Sequence, residues 1–545
     1  MKRLRCISAT LLCALVLFGA RHACASSEPA IPRRGALGAH QRAAVSALLA
    51  GETQRVDSLR VCVFRVSFAD LDFKAGFDSI YFANELRHLA EYFSGASLDV
   101  FDLRAELMPG VVALSGEAAY YGDEDLWKER MAEILMQIVR DRDASVDFSR
   151  YDAVAVIHAG AGRETDFYGD SRDQIYSGFV SPEEMREAIR DTLGTPGVPT
   201  GDGASGDTLY LDNLLVWPEE SSQDGYTFGS LGICAYQVGL RLGMVPLFDT
   251  TPEEFPDSQG CGNFDLMGYG IYNALGFVPA FPSAFNRCLM GWARPLVVSS
   301  DASLRLADVS TAAVSDTGLV KIVINPSEYY LVENRVHDAN FNGAFDFIDL
   351  NGNGVPENAD TLRGAEFDFF LTDSSNPRPT PDSTVTGSGL FVWHVDETVI
   401  RLALEGGGYP NDEAAFKGVD LEEADGIQDL DRPGGVFAFG SFHDSYRAGN
   451  NDRFAFDTEP PSRTNSGAAS GIEMSGVSEA GHFMEFDVRF SLGIEFTRGE
   501  FPASLGSLAP IAAPLDGEMT DRMLIAADSG TLWIASAGEE TWGGE

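Results

Sequence analysis

Leu231-Gly-Ile-Cys234-Ala-Tyr236-Gln237-Val238-Gly239-Leu240-Arg-Leu242-Gly243-Met-Val-Pro246-Leu247-Phe-Asp249-Thr250, followed by Gly262-Asn263-Phe-Asp265-Leu-Met267-Gly268, is the stretch on which the fold turns. Apolar side chains at Leu231, Cys234, Val238 and Leu242 recur at helical spacing. They predict a buried helix over 229–243. Gly243 is its expected stop, because glycine enters the left-handed conformation without a Cβ clash. Tyr236 and Leu240 then stand one turn apart on one face, with Gln237 beside them.

A helix followed at this distance by a Met-bearing turn is the frame of a zinc-peptidase centre of the zincin type. That centre needs His-Glu-x-x-His-x-x-Gly-x-x-His/Asp: two imidazoles one turn apart, a glutamate that activates water, a third ligand, and a Met beneath the ion. Here the two His positions hold Tyr236 and Leu240, the Glu position holds Gln237, and the third ligand position holds Pro246. Only Gly243 and the Met-turn residue Met267 match. A phenol with an ordinary pKa of about 10 is a poor sole ligand. An amide cannot accept the water proton, and Leu and Pro offer no donor. The expectation is a degenerate centre without zinc. His158 and His394, at strand ends, are read as structural.

Around this stretch the chain reads as secreted. Lys2, Arg3 and Arg5 precede an apolar run over 7–20 and an Ala23-Cys24-Ala25 cleavage site, so 1–25 is a signal peptide. The whole chain carries a net charge of −43, and losing the four basic residues of the signal leaves about −47. Such a surface repels nucleic acid and anionic lipid and attracts cations. No later apolar run is long enough to span a membrane. Cys62, Cys234, Cys261 and Cys288 remain after cleavage. Export permits disulfides, and Cys261–Cys288 or Cys234–Cys261 are the candidate bridges.

The 545 residues divide by pattern. Residues 26–57 form a linker or propeptide remnant with an amphipathic helix near 38–50. In 58–298, strands at 60–68 and 153–158 alternate with helices at 81–94 and 124–143. In 299–492, strands at 303–309, 319–324, 328–334, 389–395 and 483–490 suggest a β-sandwich. Residues 493–545 hold strand–Asp-Ser-Gly–strand chemistry resembling one propeller blade, expected to be the truncated start of a repeat. The fold class is α+β: a zincin-like α/β domain, an all-β sandwich, and a β-repeat start.

Several segments, in order, resemble the immune inhibitor A family of secreted bacterial zinc peptidases. They are Ser67-Phe-Ala-Asp70, Leu89-Ala-Glu-Tyr92-Phe-Ser94-Gly95-Ala-Ser97, Tyr151-Asp-Ala-Val-Ala-Val-Ile-His158-Ala-Gly160, Leu247-Phe-Asp249-Thr250, and Gly262 to Gly268. Leu289-Met-Gly291-Trp292, Glu328-Tyr-Tyr-Leu-Val-Glu333-Asn334-Arg335, Gly389-Leu-Phe-Val-Trp393-His394-Val-Asp396-Glu397 and Val419-Asp-Leu-Glu-Glu-Ala-Asp425-Gly426 continue it. The likeness spans roughly 58–490. It implies a secreted or periplasmic metallopeptidase-type protein, from which this chain departs at the catalytic motif. The first reading is thus a non-catalytic binder or scaffold for an extracellular peptide or protein. The second is an active zinc endopeptidase with a rebuilt site using Asp249, Asp265 or a distant His. The third is a fragment of a larger adhesin-like protein.

Two overlapping loops carry the other metal signal. Asp338, Asn340, Asn342, Ala344, Asp346 and Asp349 fall at positions 1, 3, 5, 7, 9 and 12 of a calcium loop with Gly343 at 6. Asp349, Asn351, Asn353, Val355, Glu357 and Asp360 repeat it with Gly354 at 6. Ala344 and Val355 offer main-chain oxygens. No helices flank the loops, so structural calcium is expected. Glu333, Asp396 and Asp425 are further possible cation ligands.

Overall fold

The computed structural model describes residues 38–52, 55–166, 168–202, 208–226, 228–251, 257–310, 317–338, 367–371, 387–432, 439–490 and four short strands between 511 and 544. The signal peptide and, in the calcium loops, Asn340 through Asp360 lie outside the described residues. α1 (Ala39–Leu49) leads in. β1 (Ser58–Ser67), α2 (Ser79–Ser97), β2 (Asp102–Ala113), α3 (Ala118–Tyr121), α4 (Trp127–Arg142) and β3 (Ala153–Ala161) follow. Then come β4 (Gly178–Val180), α5 (Pro182–Ala188), a hairpin of β5 (Val198–Thr200) and β6 (Leu209–Leu211), and β7 (Leu214–Glu220). The main sheet has the order β2-β1-β3-β7-β4, parallel except for the edge strand β4.

Strand alternation sorts this sheet into two faces. Val61, Val63, Ala155, Ile157, Leu215 and Trp217 face one core with α2. Cys62, Phe64, Val156, Leu214 and Val216 face another, covered by α4 through Trp127, Met131, Ile134, Leu135 and Ile138. α2 begins where the Asp78 carboxylate accepts the amides of Ile80 and Tyr81 at 2.8 and 3.0 Å. It packs Phe82, Leu86, Leu89 and Phe93 inward at helical spacing. Each such side chain, fully buried, contributes about 1.5–3 kcal/mol.

α6 (Leu231–Leu242) lies on the α2 side, and α7 (Ala284–Leu289) follows it. Beyond them β8 (Leu296–Val298), β10 (Leu319–Val323), β11 (Glu328–Arg335), β12 (Gly389–Asp396) and β13 (Val419–Leu421) form a second five-stranded sheet, with α8 (Glu397–Gly406) after β12. β9 (Ala302–Ala307), β14 (Ile472–Ser475) and β15 (Phe483–Phe490) form a three-stranded sheet. Tyr330, Val332, Leu390 and Val392 pack against Met474, Met484, Phe486 and Val488 between these two sheets. The opposite face of the five-stranded sheet, with Leu331, Phe391, Trp393 and Val395, joins the core that holds α2 and α6. The two halves of the chain therefore share one apolar interior. β16 (Ile511–Ala512), β17 (Arg522–Ala526), β18 (Leu532–Ser536) and β19 (Gly543–Gly544) pair antiparallel in sequence order.

All four described cysteines are free, which corrects the expected Cys261–Cys288 or Cys234–Cys261 bridge. Placement is the reason. Cys234 lines a cavity beside α2, and the Cys261 thiol is directed at the Val419 carbonyl oxygen, 3.6 Å away. Cys288 lies on α7, and Cys62 sits on the far face of the main sheet. Among the described residues no helix is long and apolar enough to cross a membrane.

Candidate functional site

α6 begins at Ser230 and stops at Gly243, whose φ of 106° is the left-handed state anticipated for it. The Gly243 amide donates to the carbonyl of Gly239 at 3.1 Å, closing the last turn. Two other glycines let the helix seat deeply. A Cβ on Gly232 would meet the Ile271 carbonyl oxygen at 1.9 Å, and one on Gly239 would meet the Met267 sulfur at 2.8 Å. Met267 thus lies directly against the helix, in the turn where the Gly268 amide donates to Asp265. The Leu247 amide donates to the Met267 carbonyl at 2.9 Å, tying the segment after Pro246 to the same turn.

Tyr236, Gln237, Leu240, Pro246 and Met267 are all buried. Neither amide atom of Gln237 has a hydrogen-bond partner, although the residue is fully enclosed. The Leu240 carbonyl is met by His40 Nε2 from α1 at 3.0 Å. Burial lowers the His40 pKa, with the Leu240 bond opposing. A phenol, an amide, an isobutyl group and a proline ring do not fit a zinc ion, whose ligands are imidazole, thiolate or carboxylate. No chemical step through such an ion follows from them.

The residues named for a rebuilt centre are occupied elsewhere. Asp249 accepts the Thr251 and Asp257 amides at 2.9 and 2.8 Å. Asp265 accepts the Ser283 amide at 2.9 Å and the Asn286 side-chain amide at 3.2 Å. Burial pushes its carboxyl up to about 6 against those bonds. His158 belongs to the face of β3 turned away from α6, with its ring centroid 6.4 Å from that of Phe68. Burial drops it to about 4, so it stays neutral. His394 lies on the sandwich face of β12, its ring 5.0 Å from Tyr330. Among the described residues, Asp166, Asp170 and Asp224 are the one set of three acids, thiols or imidazoles spaced for a metal, and none is on α6.

Sequence reasoning did not single out the acids that face α6. Glu85 of α2, Ser230 and Cys234 line a cavity of about 20 Å³ with Phe82, Leu89 and Trp217. This volume suits a water or two. Ser230 Oγ donates to Glu85 Oε2 at 3.3 Å. Burial raises the Glu85 carboxyl to about 7, with the Ser230 bond opposing. Glu164 accepts the Ser177 hydroxyl and amide at 2.7 and 3.1 Å, and burial raises its pKa as well. Burial first, then Glu85 and Glu164, lift the Cys234 thiol well above its ordinary value, so it is protonated and a weak nucleophile. The signal for Glu85 was present: it lies three residues after Phe82 and one before Leu86, on the apolar stripe of α2.

No protein-family model and no curated protein matches this chain.

Proposed function

We propose that this chain is a secreted protein of the immune inhibitor A type that binds an extracellular peptide or protein without cutting it. Its zincin-like frame is retained as a scaffold, and structural calcium is held in the loops over 338–360. The observation that carries this reading is the seat beneath α6. Gly239 rests on Met267, and Leu247 is bonded to the Met267 carbonyl, as a helix over a Met-bearing turn requires. Tyr236, Gln237 and Leu240 are buried on the same helix, and their side chains supply neither a good zinc donor nor a base.

The test is metal analysis of the mature protein after zinc loading and dialysis, beside casein hydrolysis with and without chelator. The expected result is far less than one zinc per chain and no chelator-sensitive turnover. Stoichiometric zinc with hydrolysis that disappears on chelation overturns the reading.

A further inference from the structure

α1 crosses the end of α6, where that helix stops. A Cβ placed on Gly243 would lie 3.6 Å from the Ala44 Cβ and 3.9 Å from the His40 ring carbon Cδ2. Two side chains of α1 hold carbonyls here. His40 Nε2 donates to the Leu240 carbonyl at 3.0 Å, and Gln41 Nε2 donates to the Met244 carbonyl at 2.7 Å. Gln41 Oε1 accepts the Gly38 amide at 3.0 Å, so both ends of this buried amide are engaged. α1 thus supplies donors to carbonyls at and just beyond the helix C-terminus. Val45, fully buried, joins the core beside them. Beyond α1 the chain is pinned at Val56. Its amide donates to the Met290 carbonyl at 3.0 Å, and its carbonyl accepts the Trp292 indole N–H at 2.9 Å.

The bond to Leu240 fixes the His40 tautomer. A carbonyl only accepts, so Nε2 carries the proton and Nδ1 is the bare nitrogen. Nδ1 is buried without a hydrogen-bond partner, and so is Glu183 Oε2 of α5. Both atoms lie around one point: a Cβ on Gly38 would be 2.6 Å from His40 Nδ1 and 3.6 Å from Glu183 Oε2. A second proton on the ring would enter this enclosed spot. Burial opposes it most. The Leu240 bond and Glu183 favour it, whereas Arg241 of α6 and Arg42 of α1 repel it. The Phe179 ring of β4 stands edge-on to the imidazole at 5.8 Å and adds apolar cover. The balance lowers the His40 pKa below its ordinary 6.5 while α1 is docked. An undocked imidazole in water regains about 6.5. Protons therefore favour the undocked form: docking is at full strength above pH ~6.5 and weakens as pH falls below it.

We propose that α1 is an acid-released strap, held across the end of α6 by neutral His40 and by Gln41 and loosened from it when His40 takes up a proton. Loosening uncovers the Leu240 and Met244 carbonyls and the seat of Val45, while the chain stays tethered at Val56. The device uses no metal at the α6 centre and stands apart from the function proposed for that centre.

The experiment is hydrogen exchange, read as protection factors, on the chain without residues 1–25 at pH ~7.5 and ~5, either side of the ordinary histidine value. Protection of the α1 amides should fall by roughly threefold or more in acid, while that of α4, on the far face of the main sheet, should hold. His40→Gln, which keeps an N–H donor for Leu240, should remove the pH dependence in α1. Glu183→Gln, which takes away the acid that favours the imidazolium, should deepen the loss. Unchanged or higher protection of α1 in acid overturns the proposal, since Glu183 would then be capturing the protonated ring in place. Equal losses in α1 and α4 also overturn it, because the whole fold would then be loosening. Should His40→Gln not fold, the titration of His40 in the parent, followed by NMR, decides. A midpoint below ~6.5 supports the strap, and one at or above that value refutes it.

Discussion

Gln237, like Gln259, is a buried amide that the interior leaves unsatisfied. Its side chain is fully enclosed with both amide atoms unpartnered. An unpaired buried polar group costs about 1–3 kcal/mol, whereas an apolar side chain of similar shape avoids that cost. Gln237→Met should therefore stabilise the protein by about 1 kcal/mol in urea unfolding at neutral pH. A loss of stability of that size would show that the amide is bonded to an internal water. The helix that carries Tyr236, Gln237 and Leu240 and its stop at Gly243 were legible in the sequence, because helical spacing survives in linear order. Glu164 was not, because only folding carries the loop after β3 towards α6. The Asp249 and Asp265 roles were missed for a similar reason: their partners are backbone amides, which have no sequence signature.

β11, β12 and the turn after β13 place Glu328, His394 and Glu422 together. His394 Nε2 is 3.8 Å from Glu328, and its Nδ1 is 3.3 Å from Glu422. Burial opposes the imidazolium, but the two carboxylates outweigh it and raise the His394 pKa to about 10. In the unfolded chain it is about 6.5. The folded state thus binds an extra proton between these values, so this contribution is full below pH ~6.5 and is lost as pH rises through ~10. His394→Gln should flatten the fall in unfolding free energy between pH ~6.5 and ~10, a difference on the order of a few kcal/mol. An identical pH profile in the variant would refute the ion-pair account. The strands that carry this triad were readable from their β-branched and aromatic runs, and Glu328–Arg335, Gly389–Asp396 and Phe483–Phe490 lie close to where those runs placed them. β7 was not readable: Pro218 near its end argues against a central strand, yet Val216 and Trp217 are buried between β3 and β4. β2 was hidden similarly by Pro109-Gly110 within Asp102–Ala113.

At the scale of the molecule, the two halves are joined by a buried charge network as well as by a shared apolar core. Arg335 of β11 makes a two-point pair with Asp368, Nε–Oδ2 at 2.9 Å and Nη2–Oδ1 at 2.7 Å. It also donates to the Phe264 carbonyl at 2.5 Å, in the loop before the Met267 turn. Arg287 of α7 pairs with Glu333, which also accepts the Trp393 indole N–H at 2.9 Å. Every residue of β11 and β12 is buried, because one face meets the sandwich and the other meets α6 and α7. The sequence showed the first covering, through strand runs and turns, but not the second, since both faces of these strands carry apolar side chains. Removing one partner from a buried ion pair costs about 3–5 kcal/mol, since the other charge stays enclosed. Asp368→Ala leaves the Arg335 guanidinium with Glu333, at 3.7 Å, as its remaining ion-pair partner among the described residues. If the shared interior makes one cooperative unit, slow amide exchange in β3 and in β12 should accelerate together, each by the equivalent of ~3–5 kcal/mol. Acceleration confined to β12, with β3 unchanged, would mean that the main sheet holds itself together without the second sheet. A chain ending at residue 298 would then fold, whereas a single cooperative unit requires that chain to expose the α6 and α7 surfaces that Leu331, Phe391 and Trp393 cover, and to remain unfolded.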